Sequence, residues 1–183
     1  ISEQFLLEAT NGKMFCDNYG KITQIRNKIS YLPEDIRLKK LAGNLLVMAQ
    51  SGQYNYGRCI SRNDTAAAQL AVFEFVNATL KVIFLLNKRY IPYYKWRFRA
   101  LRDLPLLYEL HNDLEYIMSS SNTKSEADKK KLVIENISLE IIKVLISQNL
   151  TNNDSGNLEN HAYMVNDCIK DSNVRNLSIL CAV

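Results

Sequence analysis

Residues 87–99 read Asn-Lys-Arg-Tyr-Ile-Pro-Tyr-Tyr-Lys-Trp-Arg-Phe-Arg and bring five basic and five aromatic side chains together around one proline. Aromatic faces can stack on a base and Lys or Arg can pair with phosphate, so a nucleotide or a nucleic-acid backbone is a fitting ligand. Tyr93, Tyr94 and Lys95 are the candidate contacts. The same side chains also suit a corner between two helices, with rings packed at the helix ends and a basic rim in water. Upstream, Glu74, Asn77, Lys81 and Lys88 fall within about 60° of one another on a helical wheel. If that stripe borders a cleft, Glu74 is placed to accept a proton and Lys81 to neutralise an anion; otherwise it is a face that looks at water. The segment 49–58 contributes Gln50, Tyr54, Asn55 and Arg58, either as a hydrogen-bonding functional loop or as a connector satisfied by its own groups. Asn87 projects away from the stripe and should tie the end of its helix to the following turn or donate to a ligand.

Other chemistries leave no trace. There is no Gly-rich phosphate loop, no Gly-x-Ser-x-Gly and no His-Glu-x-x-His. His111 and His161 lack a second ligand at helical spacing, and His161, beside Leu158, Ala162 and Val165, is expected to be a partly buried, hydrogen-bonded imidazole. Cys16, Cys59, Cys168 and Cys181 form no Cys-x-x-Cys pair, so neither a zinc site nor a disulfide framework is expected, and no other metal site in this chain.

The elements that position these residues read as helices. In 183 residues there are only three prolines and six glycines, and Pro33, Pro92 and Pro105 each stand where a helix could start. Leu38, Leu41, Leu45 and Met48 recur at helical spacing and predict a helix over 33–50. Asp64 is a plausible N-cap for 65–90, which has no Gly or Pro and should be the longest helix. Further helices are expected at 92–102, 105–118, 126–148 and 157–171, with polar loops at 119–125 and 151–156. The stripe Val133, Ile137, Ile141, Val144 and Leu145 is expected to face the core, and Lys129, Lys130 and Lys131 to be a solvated first turn. Residues 13–23 read instead as two short extended pieces around a turn at Gly20, a small β-hairpin. The expectation is an all-α bundle of five to six helices over 31–183, preceded by a segment 1–30 with that hairpin.

The net charge of +4 is of mixed sign and does not by itself indicate nucleic acid. The longest apolar run, 82–86, is too short to span a bilayer, so no membrane partner and a cytoplasmic location are expected. The first residue is Ile and not Met, which points to an excised or processed piece of a longer protein.

Several stretches carry a resemblance: Met14-Phe15-Cys16-Asp17 with Gly20, the run 31–40 from Tyr31 to Lys40, Ala49 through Tyr56, Phe84-Leu85-Leu86-Asn87, and Tyr90 through Trp96 on to Leu104-Pro105. A weaker stretch runs from Leu158 through Ala162 to the Arg175 region. Across nearly its whole length the chain resembles the C-terminal helical domain of unknown function found downstream of a nucleotidyltransferase-fold domain in a group of bacterial proteins. More distantly it is similar to the helical half of kanamycin and lincosamide nucleotidyltransferases. That resemblance implies a domain that closes over nucleotide and acceptor while the catalytic domain holds Mg²⁺ and the nucleoside triphosphate. By the same resemblance Glu74 would be a general base, Lys95 would face phosphates, and Tyr94 and Tyr54 would lie near base or acceptor. The Gly-Ser and metal-binding aspartates of the catalytic half are not in this sequence, so the chain alone should transfer nothing. Residues 1–30 would be the junction to the missing nucleotidyltransferase domain. The competing reading is a non-catalytic module whose basic aromatic turn binds RNA or another protein.

Overall fold

The computed structural model describes residues 2–183, and no strand occurs among them. The helices are α1 (Glu3–Thr10), α2 (Lys21–Lys28), α3 (Glu34–Met48), α4 (Gly57–Ser61), α5 (Thr65–Leu86), α6 (Arg97–Leu101), α7 (His111–Ser119), α8 (Lys124–Ser147), α9 (Leu158–Asp167) and α10 (Ser172–Arg175). A π-helix, Ala49–Tyr56, joins α3 to α4, and 3₁₀ turns at Tyr94–Trp96 and Tyr108–Leu110 lead into α6 and α7. The all-α expectation therefore holds at the level of class.

α5 is the central rod. Asp64 caps it as expected, its carboxylate accepting from the Ala67 amide at 2.9 Å. Val72, Phe75, Val76, Thr79 and Ile83 are buried along it. It is also the helix among the described residues long and apolar enough to cross a membrane, but 67% of its apolar window is buried inside the bundle. Packing against its neighbours thus accounts for its composition. α3 packs on both α5 and α9, placing Leu38, Leu41, Leu45 and Met48 against α5's row and against Leu158, Ala162 and Val165. Each such side chain, fully buried, contributes about 1.5–3 kcal/mol. The α8 stripe faces the core as expected, with Ile137, Ile141 and Leu145 fully buried and Val133 and Val144 partly so.

The β-hairpin expected over 13–23 is absent; residues 13–17 carry no regular structure, a turn covers 18–20, and α2 begins at Lys21. The reason is local hydrogen bonding. The Asp17 carboxylate accepts from the Ile22 and Thr23 amides at 3.3 and 2.8 Å and so starts a helix, while Arg26 donates to the carbonyls of Thr10, Asn11 and Gly12 and closes the loop. Side-chain partners for the backbone here compete with strand pairing and win.

Five boundaries also differ. The helix expected to end at 50 does not end; it widens into the π-helix and runs on to Ser61, so 49–58 is not a loop. α5 stops at Leu86, because Lys88 adopts φ 51°, and α8, with 24 residues against 22, is the longest helix. The helices expected from Pro92 and Pro105 start later, through the two 3₁₀ turns. α9 ends at Asp167, and the last turn, α10, is a separate piece capped by Asp171. Lys130 is not solvated: it is fully buried and donates to the Ser120 carbonyl at 2.7 Å and to Asn122 Oδ1 at 3.0 Å.

Candidate functional site

The π-helix shapes the clearest cleft. Inside it Ser51 donates its hydroxyl back to the Val47 carbonyl at 2.6 Å, and Gly52 lies so close to Phe75 that an added Cβ would sit 2.3 Å from the ring. Wide π turns inside α-helices are frequent at functional sites. Here the turn presents Gln50, Tyr54 and Asn55 to a cleft of about 610 Å³, whose other walls include Glu135 of α8 and Asn157 and Glu159 at the start of α9. Gln53 fixes these walls together. Its amide nitrogen donates to Glu135 at 2.7 Å and to the Gly156 carbonyl at 2.9 Å, and its oxygen accepts from the Leu158 amide at 3.0 Å. The Arg58 guanidinium lies 4.8 Å over the Tyr54 ring and donates to its hydroxyl, bracing the ring from the far side. Tyr56 closes the π-helix from beneath: it is fully buried, its hydroxyl donates to Asn122 at 3.2 Å, and burial pushes its pKa up to about 12.

The stripe on α5 behaves differently. Glu74 is exposed and makes no ion pair among the described residues. Asn77 accepts from Arg97, and Lys81 lies half-buried with Arg97, Lys40, Asn44 and Glu3 around a smaller cavity of about 180 Å³. Burial first, then the Arg97 and Lys40 charges, hold the Lys81 pKa below its ordinary value. Lys88 leaves the stripe because α5 ends before it, and it lines a third cavity with Arg26, Arg89 and Tyr90.

Tyr93, Tyr94 and Lys95 form an exposed corner of their own. The two tyrosine rings are 4.5 Å apart, and Lys95 Nζ lies 5.9 Å from the Tyr93 ring and 5.5 Å from that of Trp96. Glu74, Tyr93, Tyr94 and Lys95 lie outside both the π-helix cleft and the Lys81 cavity. The sequence candidates are thus distributed over the cleft, the cation cavity and the aromatic corner, with Glu74 exposed outside the cleft and the cavity.

Asn87 is structural. Its amide donates to the Ile83 and Leu106 carbonyls at 2.9 and 3.0 Å and accepts from the Leu106 amide at 3.0 Å, so it ties α5 to the 104–107 loop and not to the 90–92 turn. His161 is fully buried, as a clamp on the 151–156 loop. Nε2 faces the Ser155 carbonyl at 2.7 Å and must carry the proton, which leaves Nδ1 to accept from the Thr151 hydroxyl at 2.9 Å.

Sequence reasoning missed Gln53, Glu135, Asn157 and Glu159 in the cleft and Glu3, Lys40, Asn44 and Arg97 in the cavity. Arg97 and Gln53 had a signal, their places in the basic aromatic stretch and in the segment 49–58. The others reach their sites from elements far apart in sequence, and no spacing rule joins them.

Residues 1–97, more than half of the chain, match the family described as a domain of unknown function, DUF4037, and the chain belongs to that family. No curated protein and no solved structure matched the chain.

Proposed function

We propose that this member of the DUF4037 family is the substrate-side helical domain of a nucleotidyltransferase-like protein, not catalytic alone, and that its π-helix cleft holds the acceptor. The π-helix is the observation that carries this reading: of its eight residues, Ala49, Gln50, Gln53, Tyr54 and Asn55 line the cleft. The lining also selects a ligand class. Gln50 and Asn55 have unspent amide groups, Tyr54 offers a ring, and Glu135 and Glu159 place two carboxylates at the rim. Such walls favour a small molecule rich in hydroxyl and amino groups over a phosphate. The metal, Mg²⁺, and the nucleoside triphosphate would then belong to a separate catalytic domain, and the carboxylates within reach of an acceptor in the cleft as a base are Glu135 and Glu159, not Glu74, which lies outside it. Phe5, Phe15, Tyr19, Ile22 and Ile25 are exposed along the N-terminal segment, which supports a role for that segment as the contact with such a domain.

The test is calorimetric titration of the full chain with an amino sugar such as kanamycin, repeated with Tyr54→Ala. Loss of a stacking ring should weaken binding about tenfold. No heat from any polyhydroxylated amine, or equal affinity in the variant, removes the reading.

The exposed Tyr93, Tyr94, Lys95 and Trp96 corner favours a second reading, an RNA-binding surface. In that case single-stranded RNA should bind at low salt and release steeply as salt rises. Absence of low-salt binding rejects it.

A further inference from the structure

The third cavity lies between the N-terminal helices and the turn that follows α5, and its volume of about 450 Å³ is of small-molecule size. Its walls are fastened to each other at two points. Glu3 of α1 pairs with Lys40 of α3 at 2.9 Å, and the Tyr90 hydroxyl donates to the Ile29 carbonyl at 2.9 Å. The space between them is therefore set by the fold.

Its charge is one-sided. Arg26, Lys88 and Arg89 line it, and no carboxylate does. The carboxylates on the surrounding elements are engaged elsewhere: Glu3 with Lys40, and Asp17 with the first amides of α2. Glu34 feels the Lys88 charge but bonds to Arg37 through both oxygens, at 2.9 and 2.6 Å. Glu8 of α1 is exposed and outside the lining, and Lys21 and Lys28 of α2 add positive charge nearby. Arg26 Nη2 donates to the carbonyls of Thr10, Asn11 and Gly12, which anchors the guanidinium and leaves Nε and Nη1 without a partner among the described residues. The side chains of Lys88 and Arg89 have no hydrogen-bond or ion-pair partner among them either.

A second observation concerns the backbone of Lys88. It stands just past the end of α5 at φ 51°, with its amide on the Leu85 carbonyl at 3.2 Å and the Arg89 amide on the Phe84 carbonyl at 3.0 Å. Glycine is the usual residue in such a helix end, because a Cβ is strained at that φ. The chain carries a lysine there, and with it an ammonium in the cavity lining. Strain retained at a cavity wall is characteristic of functional sites.

We infer that this cavity binds a small phosphorylated molecule, its phosphate dianion held by Lys88, Arg89 and the free edge of Arg26. The hydroxyl-bearing remainder of the ligand meets Asn27 and Ser30, whose side chains have no hydrogen-bond partner among the described residues. A phosphomonoester near neutral pH carries close to two negative charges and offers only acceptors at its phosphate, which suits walls whose charged groups are all donors. The site shares no residue with the π-helix cleft and does not rest on the function proposed for it.

The experiment is titration of the full chain with glycerol 3-phosphate, succinate and glycerol, read by calorimetry and by thermal midpoint, for the wild type, Lys88→Gly and Arg89→Ala. Glycerol 3-phosphate should bind and raise the midpoint, and glycerol should do neither. Succinate, whose two charges sit on separate carboxylates, should bind at least about tenfold more weakly. Lys88→Gly relieves the backbone strain, so its unliganded midpoint should equal or exceed that of the wild type while its affinity falls at least about tenfold. Arg89→Ala touches no strained backbone and should keep the wild-type midpoint with a similar loss of affinity, so lost binding is not mistaken for lost fold. No binding of glycerol 3-phosphate, equal binding of succinate, or undiminished affinity in either variant overturns the assignment.

Discussion

Replacing Gly52 by alanine should separate a π-helix that is held by packing from one that is incidental. An added Cβ would meet Phe75 Cδ2 at 2.3 Å, Cε2 at 2.7 Å and Cγ at 2.9 Å, all closer than real contacts allow. Phe75 cannot swing aside, because it is fully buried in the α5 core and its ring is not a flexible tip. Overpacking of this kind costs about 1–3 kcal/mol. Against that stands the gain of removing glycine from a helical segment, about 0.5–1 kcal/mol. The net expectation is a loss of roughly 1–2 kcal/mol, which lowers the thermal midpoint of a chain of this size by roughly 2–8 °C. Because the π-helix must shift to admit the methyl, the cleft should change with it: affinity for any ligand of Tyr54 and Asn55 should fall together with stability. Urea denaturation followed by circular dichroism measures the first effect and calorimetry the second. A Gly52→Ala protein as stable as the wild type, or more so, would refute the claim that the Phe75 contact sets the wide turn.

Two further outcomes follow from the buried lysines. Lys39 donates to Asn166 at 2.9 Å and to the Arg175 and Leu177 carbonyls at 3.0 and 2.6 Å, so Lys39→Met should cost about 1.5–3 kcal/mol and speed amide exchange over 172–183; unchanged exchange there counts against it as the anchor of that segment. The Lys81 pKa is lowered in the folded chain from the ordinary 10.5, so between the lowered value and 10.5 the unfolded chain holds more protons; stability should rise with pH through that window, with the penalty fully present below it. Lys130, depressed by burial, acts in the same sense. Denaturation midpoints against pH should rise less steeply in Lys81→Met, and parallel curves for the two proteins would show that Lys81 is not desolvated.

The parts of the fold legible in the sequence are those fixed by local periodicity. Leu38, Leu41, Leu45 and Met48 announce α3, Asp64 caps α5 where a capping residue belongs, and the α8 stripe finds the core. What failed depends on partners outside the window of a pattern. The 13–23 hairpin loses to the contacts of Asp17 and Arg26, two polar side chains whose partners no alternation of residues specifies. The π-helix escapes notice because Gln, Ser, Gly and Asn over 50–55 have the composition of a loop, and only the Phe75 ring pressed against Gly52 and the Gln53 clamp to Glu135 and Leu158 hold that stretch in a helix. Gln50, Tyr54 and Asn55 stand on one segment and line one wall of the cleft, while the acidic half of that cleft arrives from α8 and α9.

The buried cations show why composition alone could not rank the candidates. Arg37, Lys39 and Lys130 are each 2% exposed or less, and each is saturated by acceptors that the fold holds in place: Glu34 and the Leu85 carbonyl for Arg37, the Asn166 side chain and two carbonyls for Lys39, the Ser120 carbonyl and Asn122 for Lys130. A charge so surrounded is a fastener between elements, and removing it should cost stability without touching a ligand. Lys81 is alike in residue type and in helical setting, but its charged neighbours are two further cations, Glu3, already shared with Lys40 and Ile91, and the exposed Glu74, which forms no ion pair with it. No internal acceptor completes its shell, and because the ammonium is only half-buried, water can. The difference between a fastening lysine and one left to solvent lies in where the acceptors are, and those acceptors are up to 138 residues away along the sequence.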